Sequence, residues 1–293
     1  INIGLGLLLV AGALLTLIVS LKAISTVTLL IPMLISALAV TEPGGGSDVA
    51  NLQTRAVRDG DFYRVSGSKT FITSGVRADF YTVAVRTGEP GFAGISLLLI
   101  EKGTPGFTVG RSLKKMGWWA SDTAELFFDD CRVPVGHLIG SENMGFACIM
   151  GNFQSERLAL ALMANMTAQL ALEESLKWAR QREAFGKPIG KLQVIKHRLA
   201  EMATALEVSR EFTYRQAAKM AAGQSVIKEI SMAKNFATDT ADRIVTDAVQ
   251  ILGGLGYMRE SLVERLYRDN RILSIGGGTR EVMNEIISKQ MGL

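Results

Sequence analysis

Thr41-Glu42-Pro43-Gly44-Gly45-Gly46-Ser47-Asp48 sets three consecutive glycines between hydroxyl-bearing side chains. Glycine lets a backbone approach a ligand closely, and Thr41 and Ser47 could recognise its polar groups, although the same run also reads as an ordinary turn. It matches neither the phosphate loop, which ends in Lys-Ser/Thr, nor the G-x-G-x-x-G dinucleotide pattern. Arg182 offers a planar cationic fork suited to a pyrophosphate, while an Arg at a helix end is by default a solvated charge. Gln250 with Gly253 and Gly254 sets an amide beside accessible backbone. Glu156, in Gln154-Ser155-Glu156-Arg157, is a carboxylate near the start of a helical run; alone, it reads as a surface residue. Cys131 and Cys148 match no metal or redox spacing, and His137 and His197 are too far apart in sequence to suggest a metal site. No metal is expected, and a reducing compartment fits the two thiols.

The elements that must hold these residues change character twice along the chain. Its 293 residues suffice for two domains with sizeable cores, and 48 % apolar with 20 % charged residues describes a globular protein. The net charge of +4 is scattered, so no nucleic-acid surface is expected. Residues 1–40 carry one charge, Lys22, and read as an apolar helical segment. Residues 41–140 hold short β-like runs divided by turns: Asp61 to Val65, Lys69 to Thr73, Phe80 to Arg86, Ile95 to Glu101 and Glu125 to Phe128. Residues 141–293 take helical periodicity, over Ala147 to Arg180, Leu192 to Ala222, Ile227 to Leu252 and Arg280 to Lys289. Gly186-Lys187-Pro188 reads as a tight helix–helix connection. The fold class is α+β, an antiparallel β domain followed by an antiparallel four-helix bundle.

Several motifs arrive in an order similar to that of the acyl-CoA dehydrogenase family. Thr41 to Asp48 resembles T-E-P-G-x-G-S-D, and Ser66 to Gly75 resembles the strand G-x-K-x-x-I-T-N-G. Lys115 to Pro134 is similar to K-M-G-x-x-x-S-D-T-x-E-L-x-F-x-D-x-x-V-P. Arg180 to Ile189 with Gln193 resembles R-x-R-x-x-F-G-x-P-I-x-x-x-Q, and Gln250 to Tyr257 resembles Q-x-x-G-G-x-G-Y. Arg268-Asp269 and Gly278-Thr279 complete a series that covers the chain from Leu38 to its end.

The resemblance implies an FAD enzyme that oxidises the Cα–Cβ bond of an acyl-CoA to a trans-2-enoyl-CoA. It implies flavin contacts at Thr41, Gly46, Ser47, Phe71, Ile72 and Thr73, with Phe71 flat against the isoalloxazine and the Thr73 hydroxyl donating to it. Arg182, Phe185, Gln193, Gln250, Gly253 and Gly254 would grip the pyrophosphate and adenosine of a neighbouring subunit's FAD, with Thr279 and Glu281 also at the cofactor. Ser47, Thr87, Gln154, Arg157, Gly277 and Gly278 would line the substrate. Trp118 and Trp119 have no motif role and read as packing. The implied partners are an electron-transferring flavoprotein and further copies of the chain, as a dimer of dimers. Nucleic acid and membrane contact are not expected. An acyl-CoA oxidase, or a non-catalytic or DNA-binding flavoprotein of the same fold, is the alternative.

The base departs from the commonest family pattern. Many members carry it in Tyr-Glu-Gly-Thr, whereas this chain has Gly276-Gly277-Gly278-Thr279, so Gly277 stands where that Glu is expected. The isovaleryl and long-chain branches place the base near the start of the first long helix, at the position of Glu156. Glycine keeps the backbone N–H that the resemblance assigns, with a flavin ribityl hydroxyl, to the enolate oxygen.

Residues 1–40 are too short and too nearly chargeless for the all-helical domain that the family carries there. They read as two membrane-inserted helices, as a core-facing remnant, or as placeholder residues for a more polar stretch, and no arginine-rich presequence is visible. The expected compartment is the bacterial cytoplasm, or the mitochondrial matrix in a eukaryote.

Overall fold

A computed structural model of the protein describes residues 34–293. Residues 1–33, and with them most of the expectation of an apolar helical segment, lie outside the described residues. The rest divides into two compact units, one of 34–115 with Trp119–Asn152, the other of Met116–Trp118 with Phe153–Leu293. Among the described residues no helix is long and apolar enough to cross a membrane.

The first unit is built on strands β1 (Ser36–Ala39), β2 (Arg55–Asp59), β3 (Phe62–Thr73), β4 (Phe80–Arg86), β5 (Ile95–Glu101), β6 (Phe107–Ser112), β7 (Thr123–Pro134) and β8 (Leu138–Ile139). They pair in the order β6-β7-β3-β2-β4-β5-β8, with β1 beside β4. Alternate residues point inward, so Tyr63, Val65, Leu98, Ile100, Leu126, Phe128 and Val133 form one apolar cluster. Phe107 stacks on Phe128 and meets Tyr81 edge-on at 4.7 Å.

Three expectations are corrected here. The sheet is mixed, because β1 runs parallel to β4 and β2 touches β4 in parallel. Ser36–Ala39 are a strand, so the end of the apolar segment belongs to the sheet: Ala37 and Ala39 are buried in its core. Asp61 to Val65 and Lys69 to Thr73 are one continuous strand, not two. Gly67 between them, at φ 144°, marks a bulge rather than a break. A β-carbon there would lie 2.7 Å from the Thr54 Cα, so glycine lets the neighbouring strand come close.

The helices are α1 (Gly145–Gln181), α2 (Gln193–Ala221), α3 (Ile227–Leu252), α4 (Gly254–Tyr257), α5 (Leu262–Asn270) and α6 (Arg280–Gln290). Ala161, Ala164, Ala168 and Ala171 recur on one face of α1 and join Ala237, Ala241, Ile244 and Ala248 of α3 in a single core. Small residues at this spacing let helix backbones approach closely. A buried polar layer crosses the apolar one: Ser209 donates to Asn165, whose amide donates to Thr213 at 3.0 Å. Arg198, near the start of α2, pairs with Asp247, near the end of α3, so these two helices run antiparallel.

The connection between α1 and α2 is not the bare helix–helix turn expected. It is a hairpin of β9 (Glu183–Ala184) and β10 (Lys187–Pro188). Phe185 and Gly186 at its tip have φ of 54° and 74°, the left-handed pair that a two-residue hairpin of this twist requires. Trp118 packs on the helical core, and its N–H donates to Asp269 at 2.6 Å; Trp119 is half exposed.

Candidate active site

In the sheet unit the glycine-rich motif is held from beneath. Glu42 and Gly45 exchange backbone hydrogen bonds, closing a turn with Pro43 at its second position, where the ring fixes φ. The Glu42 carboxylate accepts from the N–H groups of Gln53 and Thr54 and from the Lys69 ammonium at 2.8 Å. Lys69 also donates to the Val40 carbonyl, and Thr70 N–H donates to the Thr41 carbonyl. Burial alone would raise the Glu42 carboxyl, but the Lys69 charge and the three donors outweigh it and hold it below the usual range. This buried pair was missed by reading the motif as a ligand loop. Its signal was an acid in one motif and a lysine in the next, both otherwise without a role.

Above that anchor, Gly46 and Ser47 are exposed. Phe71 is 68 % exposed and sits at φ 58° inside β3, beside a register shift between Lys69 and Ile72. A bulky residue in the left-handed region costs about 1–3 kcal/mol. The bulge puts Lys69 and Thr70 both inward, and leaves the Phe71 ring and the Thr73 side chain outside. The Ile72 side chain is corrected: it is 2 % exposed and belongs to the core, so only its backbone is available to a ligand. The Thr87 hydroxyl donates to Asn143 at 2.8 Å and shares a hydrogen bond with Ser96, so internal partners already engage it.

In the helical unit α1 carries Glu156 and Arg157 against the Gly277-Gly278 turn. A β-carbon at Gly277 would lie 3.8 Å from the Glu156 Oε1, so the carboxylate sits against the position the sequence comparison left empty. Burial pushes the Glu156 carboxyl up from its ordinary value, and the charges of Arg157 and Lys234 pull it partly back. Arg157 is almost wholly buried: its Nε donates to the Gly277 carbonyl at 2.9 Å, and its guanidinium lies over the Phe153 ring. That geometry ties Arg157 to the turn that carries Gly277. Gln154 is half buried two residues before Glu156 on α1. Thr279 caps α6 by accepting from Val282 N–H, and Glu281 is exposed in the first turn of that helix. Lys234, fully buried on α3, donates to the Gly278 carbonyl at 2.6 Å and was not singled out by sequence.

A second cluster lies where α2 begins and α3 ends, an end fixed by the Arg198–Asp247 pair. Gln193, Gln250, Gly253 and Gly254 are all exposed there. Gly253, at φ 62°, ends α3 with its N–H on Val249, and open space surrounds it. Arg182 precedes the hairpin that leads into α2, and Phe185, 90 % exposed, stands at its tip. No carboxylate pairs with Arg182 among the described residues. An exposed aromatic and an exposed arginine whose guanidinium lies over the Trp178 ring, beside amides and bare backbone, suit a flat ring system and a pyrophosphate.

The model of the acyl-CoA dehydrogenase middle domain matches residues 37–131, and that of the C-terminal domain matches 143–292. A probable acyl-CoA dehydrogenase from Mycobacterium abscessus superposes with a TM-score of 0.87 at 59 % identity, over 88 % of this chain and 69 % of that one. An acyl-CoA dehydrogenase of Bacillus subtilis is 44 % identical over 258 residues, which are 88 % of this chain and 68 % of its own. A structure of PigA with FAD and proline superposes with a TM-score of 0.87 at 33 % identity, over 91 % of this chain and 70 % of that one.

The chain belongs to the acyl-CoA dehydrogenase family. Its cofactor is FAD and its reaction is the dehydrogenation of an acyl-CoA. The residues present fit that cofactor: the exposed Phe71 ring and Thr73 hydroxyl suit the isoalloxazine, and the exposed guanidinium of Arg182 suits the pyrophosphate.

Proposed function

We propose that Glu156 is the base that removes the α-proton of a long-chain or branched acyl-CoA, the electrons passing on to an electron-transferring flavoprotein. The observation that carries this is the partly buried Glu156 carboxylate lying against a glycine where the commoner family base is missing. FAD, when bound, supplies the acceptor for the β-hydride. The carboxylate form does the work, so turnover rises with pH through a value that burial has raised. As the Cα–H bond breaks, the proton goes to Glu156 and the electron pair to the thioester, whose oxygen needs a donor. The N–H groups of the Gly277-Gly278 turn supply one. The helical base position supports the long or branched substrate, and a profile of oxidation rate against acyl length and branching tests it. Fastest turnover on short straight chains would remove that part of the proposal.

The Gln193–Gln250 end of α2 and α3, with Arg182 and Phe185, is proposed to hold the adenosine and pyrophosphate of a neighbouring subunit's FAD. Arg182→Ala is expected to weaken FAD retention about tenfold or more, the equivalent of one lost charge-assisted hydrogen bond. Titration of the apoprotein with FAD measures it. In mixed oligomers, chains with an intact Arg182 should rescue retention in their neighbours. A forced monomer that keeps FAD and full activity would show that no subunit shares its site.

A further inference from the structure

We infer that Lys234 is a positioning residue for proton abstraction: from α3 it clamps the carbonyl of Gly278, in the same turn against which the Glu156 carboxylate lies. The inference rests on Glu156 being the base.

A buried ammonium is costly unless it is paired, and here no carboxylate lies within ion-pair distance of Lys234 among the described residues. Its hydrogen bond goes to a backbone carbonyl, Gly278, at 2.6 Å. Packing alone would be served better by leucine or methionine, so the charge calls for a reason. The next carbonyl along, that of Gly277, takes its bond from Arg157 on α1 at 2.9 Å. Two buried cations from two helices thus hold two consecutive peptide groups. No described peptide bond is cis, and in a trans peptide the N–H points opposite to the C=O. The N–H groups of Gly278 and Thr279 are therefore turned away from the cations. Gly277 and Gly278 have φ of 65° and 107°, a backbone with little preference of its own, so the clamps decide its orientation.

The same turn lies beside the Glu156 carboxylate. Two charges oppose the burial that raises it, Arg157 from its own helix and Lys234 from α3. On α6, Arg280 is paired with Asp239 and Glu281 is exposed, and neither perturbs Glu156. Burial, and then Arg157, push the Lys234 amine down to about 8, so it still carries its charge at neutral pH. Both cations hold the turn, so the informative change at Lys234 is one that removes its charge and keeps a donor for the Gly278 carbonyl.

The test is the pH dependence of α-proton exchange from a 3-thiaacyl-CoA in deuterated water, followed by NMR with the holoenzyme. Sulfur at the β-position blocks dehydrogenation, so exchange reads proton abstraction alone. Lys234→Gln keeps an N–H donor for Gly278 but no charge; its acid limb should move up by about one pH unit. Lys234→Met loses donor and charge, and should add a further loss of about tenfold in plateau exchange. Lys234→Arg keeps the charge and should return the limb towards wild type. A limb that stays in place in Lys234→Gln, with FAD bound, overturns the inference, whether or not Lys234→Met folds. Glu156→Gln is measured alongside. Exchange persisting there sinks the base assignment itself, while a dead Glu156→Gln beside an unmoved Lys234→Gln limb sinks only the role of Lys234.

Discussion

Glu156→Gln should lower the rate at which acyl-CoA bleaches the flavin by ~10²–10⁴-fold, the usual cost of losing a positioned base. Glutamine keeps the volume and the hydrogen-bonding reach of the side chain and loses only its ability to take a proton. FAD content should stay at the wild-type level, because the exposed residues proposed to hold the cofactor do not include Glu156. Stopped-flow absorbance with saturating acyl-CoA gives the rate, and near-normal bleaching would return the search to another carboxylate. Glu156→Gly combined with Gly277→Glu should recover part of the lost rate, since a β-carbon at Gly277 would stand 3.8 Å from the present Oε1. Recovery should be partial for two reasons. The new β-carbon would meet Leu160 Cδ1 at 2.8 Å, and Gly277 sits at φ 65°. A side chain there costs about 1–2 kcal/mol.

Lys69→Met should be the most destabilising single change in the sheet unit, by about 3–5 kcal/mol. The ammonium is wholly buried, and its loss strands the Glu42 carboxylate, 8 % exposed, with no counter-charge. That is a large part of a typical domain stability of about 5–15 kcal/mol. Thermal unfolding of the holoenzyme measures it, and FAD should be released at a lower temperature because Lys69 also ties down the Val40 carbonyl at the base of the glycine-rich turn. Adding Glu42→Gln should restore part of the loss. A neutral amide still offers an oxygen to the Gln53 and Thr54 N–H groups without leaving an unpaired charge. If Lys69→Met alone unfolds within a degree or two of wild type, the pair is not what anchors the turn.

The sequence by itself determined the family, the order of the motifs and most of the long elements. Ile227–Leu252 was legible to the residue because a continuous apolar face lies between two breakers, and α2 and α6 to within a residue or two at each end. It also singled out Glu156, since a missing acid at Gly277 and a present one on α1 are both visible as residue types. Short elements were not legible. In β2 a single buried residue among exposed ones gives no alternation to read, and α5 is only nine residues long. Parallel pairing of β1 with β4 joins segments far apart in the chain, and no local pattern encodes such a partner. Burial was decided in the same way. Lys69 and Lys234 look like surface lysines in the sequence; tertiary packing buried both, one against a carboxylate and one against a carbonyl. Likewise, Ile72 and Phe71 are adjacent apolar residues, and only the bulge in β3 sends one into the core and leaves the other bare. Charge and apolarity are properties of a residue, but the dielectric around it and the partner that offsets its burial come from chain segments distant in sequence.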